Sequence, residues 1–174
     1  HLDGARLMNA AIASQQPAAN ISKGCDSVSL CLSKGLGAPA GSLLCGGDEF
    51  IRKARRWRKM LGGGMRQAGV LAAAGQYALF HNVQRLKEDH DNARQLADKL
   101  GAIDGVDINL QQVDTNMIYM YLPADKVADL PAYLRVQNII ISPAKKGFRL
   151  VLHKDIPASE IDRLALGVHA YMAA

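Results

Sequence analysis

Residues 31–42 read Cys31-Leu32-Ser33-Lys34-Gly35-Leu36-Gly37-Ala38-Pro39-Ala40-Gly41-Ser42. A β-like run, residues 28–32, delivers one lysine into a turn rich in glycine and proline, and a second apolar run, 42–45, follows at once. The pattern predicts a strand, a tight reversal and a returning strand, with Lys34 at the rim of a sheet. Within the first run Ser29, Cys31 and Ser33 alternate with Val28, Leu30 and Leu32, the period of a strand. A lysine at such a rim can be half desolvated, which lowers its pKa and makes the amine a nucleophile toward a carbonyl. A solvated loop lysine is the plainer reading, and only the surrounding chain separates the two.

The 174 residues are enough for one core and a smaller second lobe. An apolar content of 49% excludes a disordered or collagen-like class. No apolar run reaches the length of a membrane span, and no signal-peptide pattern is read at the start. Cys25, Cys31 and Cys45 are odd in number and lack metal-ligand spacing, which fits reduced thiols in a cytosolic protein.

Upstream, His1-Leu2-Asp3-Gly4-Ala5-Arg6 reads as the end of a strand that begins off this sequence. In open α/β sheets ligands sit outside the carboxyl ends of strands, so an acid followed by Gly-Ala is well placed for chemistry. Strand alternation points Asp3 and Arg6 to opposite faces, so the chain must turn at Gly4 for both to reach one site. Read alone, Asp3 is first a candidate N-cap for a helix over 7–13. A loop is expected over 20–25.

Downstream, Asp48 is the candidate N-cap of a basic amphipathic helix over about 49–60. Arg52, Lys53, Arg55, Arg56, Arg58 and Lys59 crowd it, and they carry much of the net charge of +5. With Trp57 the only interleaved aromatic and no nucleic-acid motif, a solvated face is expected. A face turned toward a phosphate or a neighbouring subunit is the sharper alternative. Gly62-Gly63-Gly64 permits positive φ, suited to an anion nest or a flexible hinge, but there is no P-loop pattern. Residues 68–80 are apolar almost all round, which predicts a helix buried between layers. The pattern continues as one long helix to Gly101, with Val83, Leu86, His90, Ala93, Leu96, Ala97 and Leu100 in one stripe. His90 on that stripe reads as a partly buried structural histidine.

The remainder reads as a small α/β lobe. Strands are predicted over 106–110, 116–122, 136–142 and 148–152, with a turn over 143–147. A short helix opens near Asp129-Leu130-Pro131. A last helix from about Pro157 sets Ile161, Leu164, Ala165, Val168 and Met172 on one face. Arg149 stands in an apolar strand, where an arginine usually faces solvent.

The 31–39 segment resembles the cofactor-lysine segment of the low-specificity L-threonine aldolases, enzymes that use pyridoxal 5′-phosphate (PLP). The resemblance runs from His1-Leu2-Asp3-Gly4-Ala5-Arg6 through Trp57-Arg58-Lys59-Met60-Leu61-Gly62-Gly63-Gly64-Met65-Arg66-Gln67. It continues to Asp114-Thr115-Asn116-Met117 and Arg149-Leu150-Val151-Leu152-His153. It implies an α/β protein of PLP fold type I, in which residues 1–100 supply the C-terminal part of the large PLP-binding domain with a long linking helix. Residues 101–174 would be the small C-terminal α/β domain. The implied reaction is cleavage of L-threonine or L-allo-threonine to glycine and acetaldehyde.

By the same resemblance, Lys34 holds PLP as a Schiff base and Asp3 bonds its pyridine nitrogen. Arg6 lies beside the cofactor and the substrate carboxylate, which Arg149 grips with its planar fork. Lys59 and Arg66 reach the cofactor region of a partner subunit in a homodimer or homotetramer. Family chains carry an N-terminal portion before this sequence, so a missing N-terminal segment or companion chain is expected. The family's ring-stacking histidine, its phosphate-binding Gly-Thr pair and its hydroxyl base lie there; His81, His90 and His153 do not match them. No metal, nucleic acid or membrane is expected, and the location is cytoplasmic. The alternatives are a truncated remnant serving as a packing or interaction module, and another PLP reaction such as transamination or serine cleavage.

Overall fold

A computed structural model describes residues 1–144 and 146–174, and divides them into two compact units, His1–Leu86 and Lys87–Ala174. The sequence expectation drew its line at residue 100.

In the first unit, strand β1 (Leu2–Gly4) lies parallel to β2 (Ser27–Cys31), and β3 (Ser42–Gly46) returns antiparallel on the other side of β2. Asp3 pairs with Ser29 and Cys31 with Ser42. The reversal between β2 and β3 is not tight. Residues 32–41 fold in on themselves, with the Ala38 amide donating to the Leu32 carbonyl and the Leu32 amide to that of Gly41. The cause is apolar: Leu32, Leu36 and Ala38 are buried with Ala78 and Leu86 in one cluster.

Helix α1 (Leu7–Ser14) follows β1 with Arg6 at its cap position and no side-chain cap. The N-cap role for Asp3 is therefore not realised. A short α2 (Ala18–Ile21) opens after Pro17, entering the stretch expected as loop. Helix α3 (Asp48–Met60) starts one residue early, with Gly47 at the cap and Asp48 and Glu49 in the first turn, where their charge favours the helix dipole.

Two expectations for the next segment fail. The long helix is two, α4 (Gly69–His81) and α5 (Leu86–Gly101), separated by residues 82–85. Helix α4 is also not buried between layers: only Gly75 and Ala78 are buried on it, while Val70, Tyr77 and Phe80 are 68%, 63% and 81% exposed. One narrow face packs, because Gly75 lets the helix approach Leu32; a β-carbon there would lie 2.9 Å from Leu32 Cδ1. An all-round apolar pattern states that a helix needs cover, without stating that its own chain provides it.

In the second unit, β4 (Met117–Tyr121), β5 (Pro143–Ala144) and β6 (Gly147–Val151) form an antiparallel sheet in the order β4-β6-β5. Helices α5, α6 (Ala124–Val127), α7 (Leu130–Arg135) and α8 (Ala158–Met172) accompany it. Leu96 and Leu100 of α5 share a core with Ile118, Met120, Leu134, Phe148, Ile161 and Val168. Ile161, Ala165 and Val168 are buried, as the predicted stripe required.

Two predicted strands do not form. Residues 106–110 give a single bridge, Asp107 to Tyr121, followed by a 3-10 turn at Leu110–Gln112. Residues 136–142 are interrupted by Asn138 at φ 58°, where the Asn138 and Ile139 amides turn back to the carbonyls of Arg135 and Leu134. Those bonds divert the amides that a ladder would need. In the predicted 143–147 turn, Lys145 lies outside the described residues.

Candidate active site

Lys34 leaves the carboxyl end of β2 in a turn closed by the Gly37 amide donating to the Lys34 carbonyl at 2.8 Å. Gly37 has φ 74°, the left-handed region that glycine reaches at no steric cost. Gly35 has no room for a side chain: a β-carbon would lie 2.8 Å from Leu86 Cδ2 and 3.4 Å from Asn9 Oδ1. Leu36 is only 3% exposed and anchors the turn, and the Asn82 side-chain amide donates to its carbonyl at 2.7 Å. Lys34 itself is exposed, beyond the half desolvation that its position allowed. Nearby, burial pushes the Cys31 thiol up, but hydrogen bonds with Ser33 and Ser42 and the charge of Lys34 leave it below its ordinary value.

Asp3 sits at the carboxyl end of the neighbouring parallel strand. A β-carbon on Gly4 would lie 2.5 Å from the Ser29 carbonyl oxygen, so glycine permits this close pairing. The chain then turns, and the Ala5 amide donates to Asp3 Oδ1 at 3.1 Å. That bond holds the exposed carboxylate while the turn carries half-buried Arg6 to the start of α1. Asp3, Arg6 and Lys34 thus leave one end of the sheet, the place where open α/β sheets bind ligands.

Lys59 and Arg66 are not brought into any described bond with those three. The Gly63 amide bonds the Arg58 carbonyl at 2.8 Å and the Gly62 amide that of Lys59 at 3.2 Å, with Gly62 at φ 83°. This is a Schellman ending for α3, so two of the three glycine amides are committed to the helix rather than to an anion nest. The Lys59 side chain folds over the turn, with Cδ 2.7 Å from where a Gly64 β-carbon would stand. The basic residues of α3 are exposed, with Lys53 paired to Glu49 at 2.7 Å.

Arg149 belongs to the second unit. It is exposed on β6 opposite Tyr119, while its neighbours Phe148 and Leu150 are buried. It borders a cavity of about 690 Å³ whose lining includes Ile139, Ile141, Ser142 and Ile156. His90 is half-buried, and burial pulls it down against the opposing pull of Asp89 and Asp91.

Sequence reasoning missed two asparagines. Asn9 is 3% exposed against Gly35, and Asn82 holds Leu36. Asn9 was signalled as a lone amide inside an apolar helical run, whereas Asn82, between His81 and Val83 at the end of α4, carried no such signal. The meaning of each needed the turn that it meets.

The family model described as beta-eliminating lyase matches residues 1–123. The chain belongs to the beta-eliminating lyase family. It is 46% identical over 173 residues to the low-specificity L-threonine aldolase of Escherichia coli strain K12, covering 99% of this chain and 51% of that protein. A candidate L-allo-threonine aldolase from Listeria monocytogenes has a solved structure that matches with a TM-score of 0.83 at 24% identity. That match covers 98% of this chain and 51% of the other. The solved structure of SPT with PLP matches with a TM-score of 0.70 at 17% identity, over 88% of this chain and 41% of that one. The mixed α/β architecture is that of PLP fold type I. The chain spans about half the length of the curated relatives it matches.

Proposed function

We propose that this chain supplies the Lys34-bearing half of a PLP-dependent aldolase that splits L-threonine or L-allo-threonine into glycine and acetaldehyde. The observation that carries this reading is the placement of Asp3 and Lys34 at the carboxyl ends of adjacent parallel strands. The 46% identity to a threonine aldolase across nearly the whole chain supports it.

The residues fit PLP as a donor set. Lys34 offers an exposed primary amine with no hydrogen bond or ion pair among the described residues. Asp3 offers a carboxylate fixed by one backbone amide, and Arg6 a guanidinium at the same sheet end. Bound there, PLP supplies a sink for the electron pair released when a bond at the substrate Cα breaks. Lys34 Nζ would hold the group covalently, and Asp3 would keep the proton on its ring nitrogen. Arg149 and Arg6 would bind the amino acid's carboxylate. In the overall reaction the β-hydroxyl loses a proton, the Cα–Cβ bond breaks, acetaldehyde leaves, and a proton returns to Cα to give glycine.

The reading is tested by borohydride reduction of the intact protein with PLP, followed by peptide mapping. A pyridoxyl group on the Lys34 peptide, together with acetaldehyde release from L-threonine, supports it. Fixation at another lysine removes Lys34 from the role. The exposed apolar face of α4 favours one alternative, an interaction module without catalysis, and fixation at Lys34 with no turnover of any amino acid would establish that instead.

Arg149→Lys keeps the charge and loses the fork, so KM for L-threonine should rise roughly tenfold with kcat changed less. Steady-state kinetics decide it, and an unchanged KM places the carboxylate elsewhere.

The reading includes a cytoplasmic homodimer or homotetramer in which Lys59 and Arg66 serve a neighbouring subunit's cofactor. No described helix is long and apolar enough to cross a membrane. Mixing a Lys34→Ala variant with an Arg66→Ala variant should then restore activity, because one of the two sites in a mixed dimer keeps both residues. Mixed dimers that form and stay inactive would place Arg66 in its own chain's site.

A further inference from the structure

We propose that Asn82 is a positioning residue: its side-chain amide, bonded to the Leu36 carbonyl, fixes the turn that presents Lys34. The inference rests on the reading of Lys34 as the cofactor-bearing residue.

The turn has three constraints. Gly37 closes it from within by its bond to the Lys34 carbonyl. Leu86 and Asn9 press on Gly35 from behind. The Leu36 carbonyl faces out of the turn toward the end of α4, where the Asn82 side-chain amide donates to it at 2.7 Å. Asn82 stands where the predicted long helix breaks. Its backbone amide still completes α4 by bonding the Ala78 carbonyl at 2.9 Å, while its side chain leaves the helix and crosses to residue 36. The interruption between α4 and α5 thus sets an amide donor against the lysine turn. Leu36 is buried among apolar side chains, so without that donor its carbonyl would turn toward water. Gly35, Leu36 and Gly37 would move with it, and so would the Lys34 Cα.

A reacting group displaced by about 1 Å can lose up to roughly a hundredfold in rate. In the intact protein, Asn82→Ala and the isosteric Asn82→Asp should therefore lower kcat by about tenfold or more, with KM within about twofold. Asn82→Asp sets an acceptor against a carbonyl and should be the worse of the two. Asn82→Gln restores a donor and should recover part of the rate.

The second readout needs no cofactor. Amide hydrogen exchange at Gly37 and Ala38 should accelerate about tenfold or more in the Ala and Asp variants, with β6 amides unchanged. Exchange unchanged at the turn, or raised equally in both units, overturns the proposal. So does faster exchange at the turn with wild-type kcat, since the bond would then shape the turn without positioning the amine. A Lys34→Ala variant that retains activity would sink the Lys34 reading instead, and the exchange result would still stand by itself.

Discussion

Lys34→Ala is expected to lower kcat for threonine cleavage by roughly 10⁴-fold or more, since removing a covalent nucleophile can cost up to about 10⁶-fold. Thermal stability should stay near that of the unaltered protein. The Lys34 side chain is exposed, and the turn is held by Gly35, Leu36 and Gly37 rather than by the amine. Activity loss without unfolding is the informative combination, read by acetaldehyde release alongside a melting curve. A variant that still cleaves threonine at a comparable rate would show that another amine carries the chemistry. Exogenous small amines added to the variant should return part of the activity, because the role proposed for the missing group is that of an amine nucleophile rather than a packing element.

Asp3→Asn should cost roughly 10² to 10³-fold in kcat while PLP stays bound, the magnitude typical of losing one electrostatic stabiliser. The structure makes this substitution clean. The Asp3 side chain accepts from the Ala5 amide at 3.1 Å, and an asparagine carbonyl oxygen can accept the same bond. The turn that carries Arg6 to α1 is therefore kept, and the change isolates the carboxylate's charge. Cofactor content measured by absorbance, together with kcat, checks the result. If turnover is unaltered, Asp3 does not hold a ring proton; if PLP is lost as well, its role is binding.

Much of the site was legible residue by residue. Val28 to Leu32 alternates, and glycine and proline crowd the next positions, so a strand delivering Lys34 into a reversal follows from side-chain chemistry alone. The requirement for a turn after Gly4 follows from strand alternation, and the chain does turn there, with Ala5 bonding Asp3. The α8 stripe needed only helical spacing. Such features are local: each depends on residues a few positions apart, whose backbone preferences and periodicity act before any long-range contact forms.

Other features depend on which of several competing bonds the folded chain makes, some of them local and some with partners distant in sequence. Asp48 lost its N-cap role because Gly47 took the extended cap conformation where the chain leaves β3. The 136–142 run has the composition of a strand, but Asn138 adopts a left-handed conformation and its neighbours bond back to α7. Helical periodicity continues through residues 82–85, and the helix still breaks there as Asn82 reaches Leu36, 46 positions away. In α4, the apolar pattern reported a need for cover that the described residues meet on one narrow face only. Periodicity encodes which side of an element seeks burial; which surface meets it, and which amide finds which carbonyl, is settled only when distant segments pack. The chemistry of Lys34 and Asp3 is written in their side chains. Their placement at one end of the sheet is the work of a parallel pairing between β1 and β2, two strands with no local signal for each other.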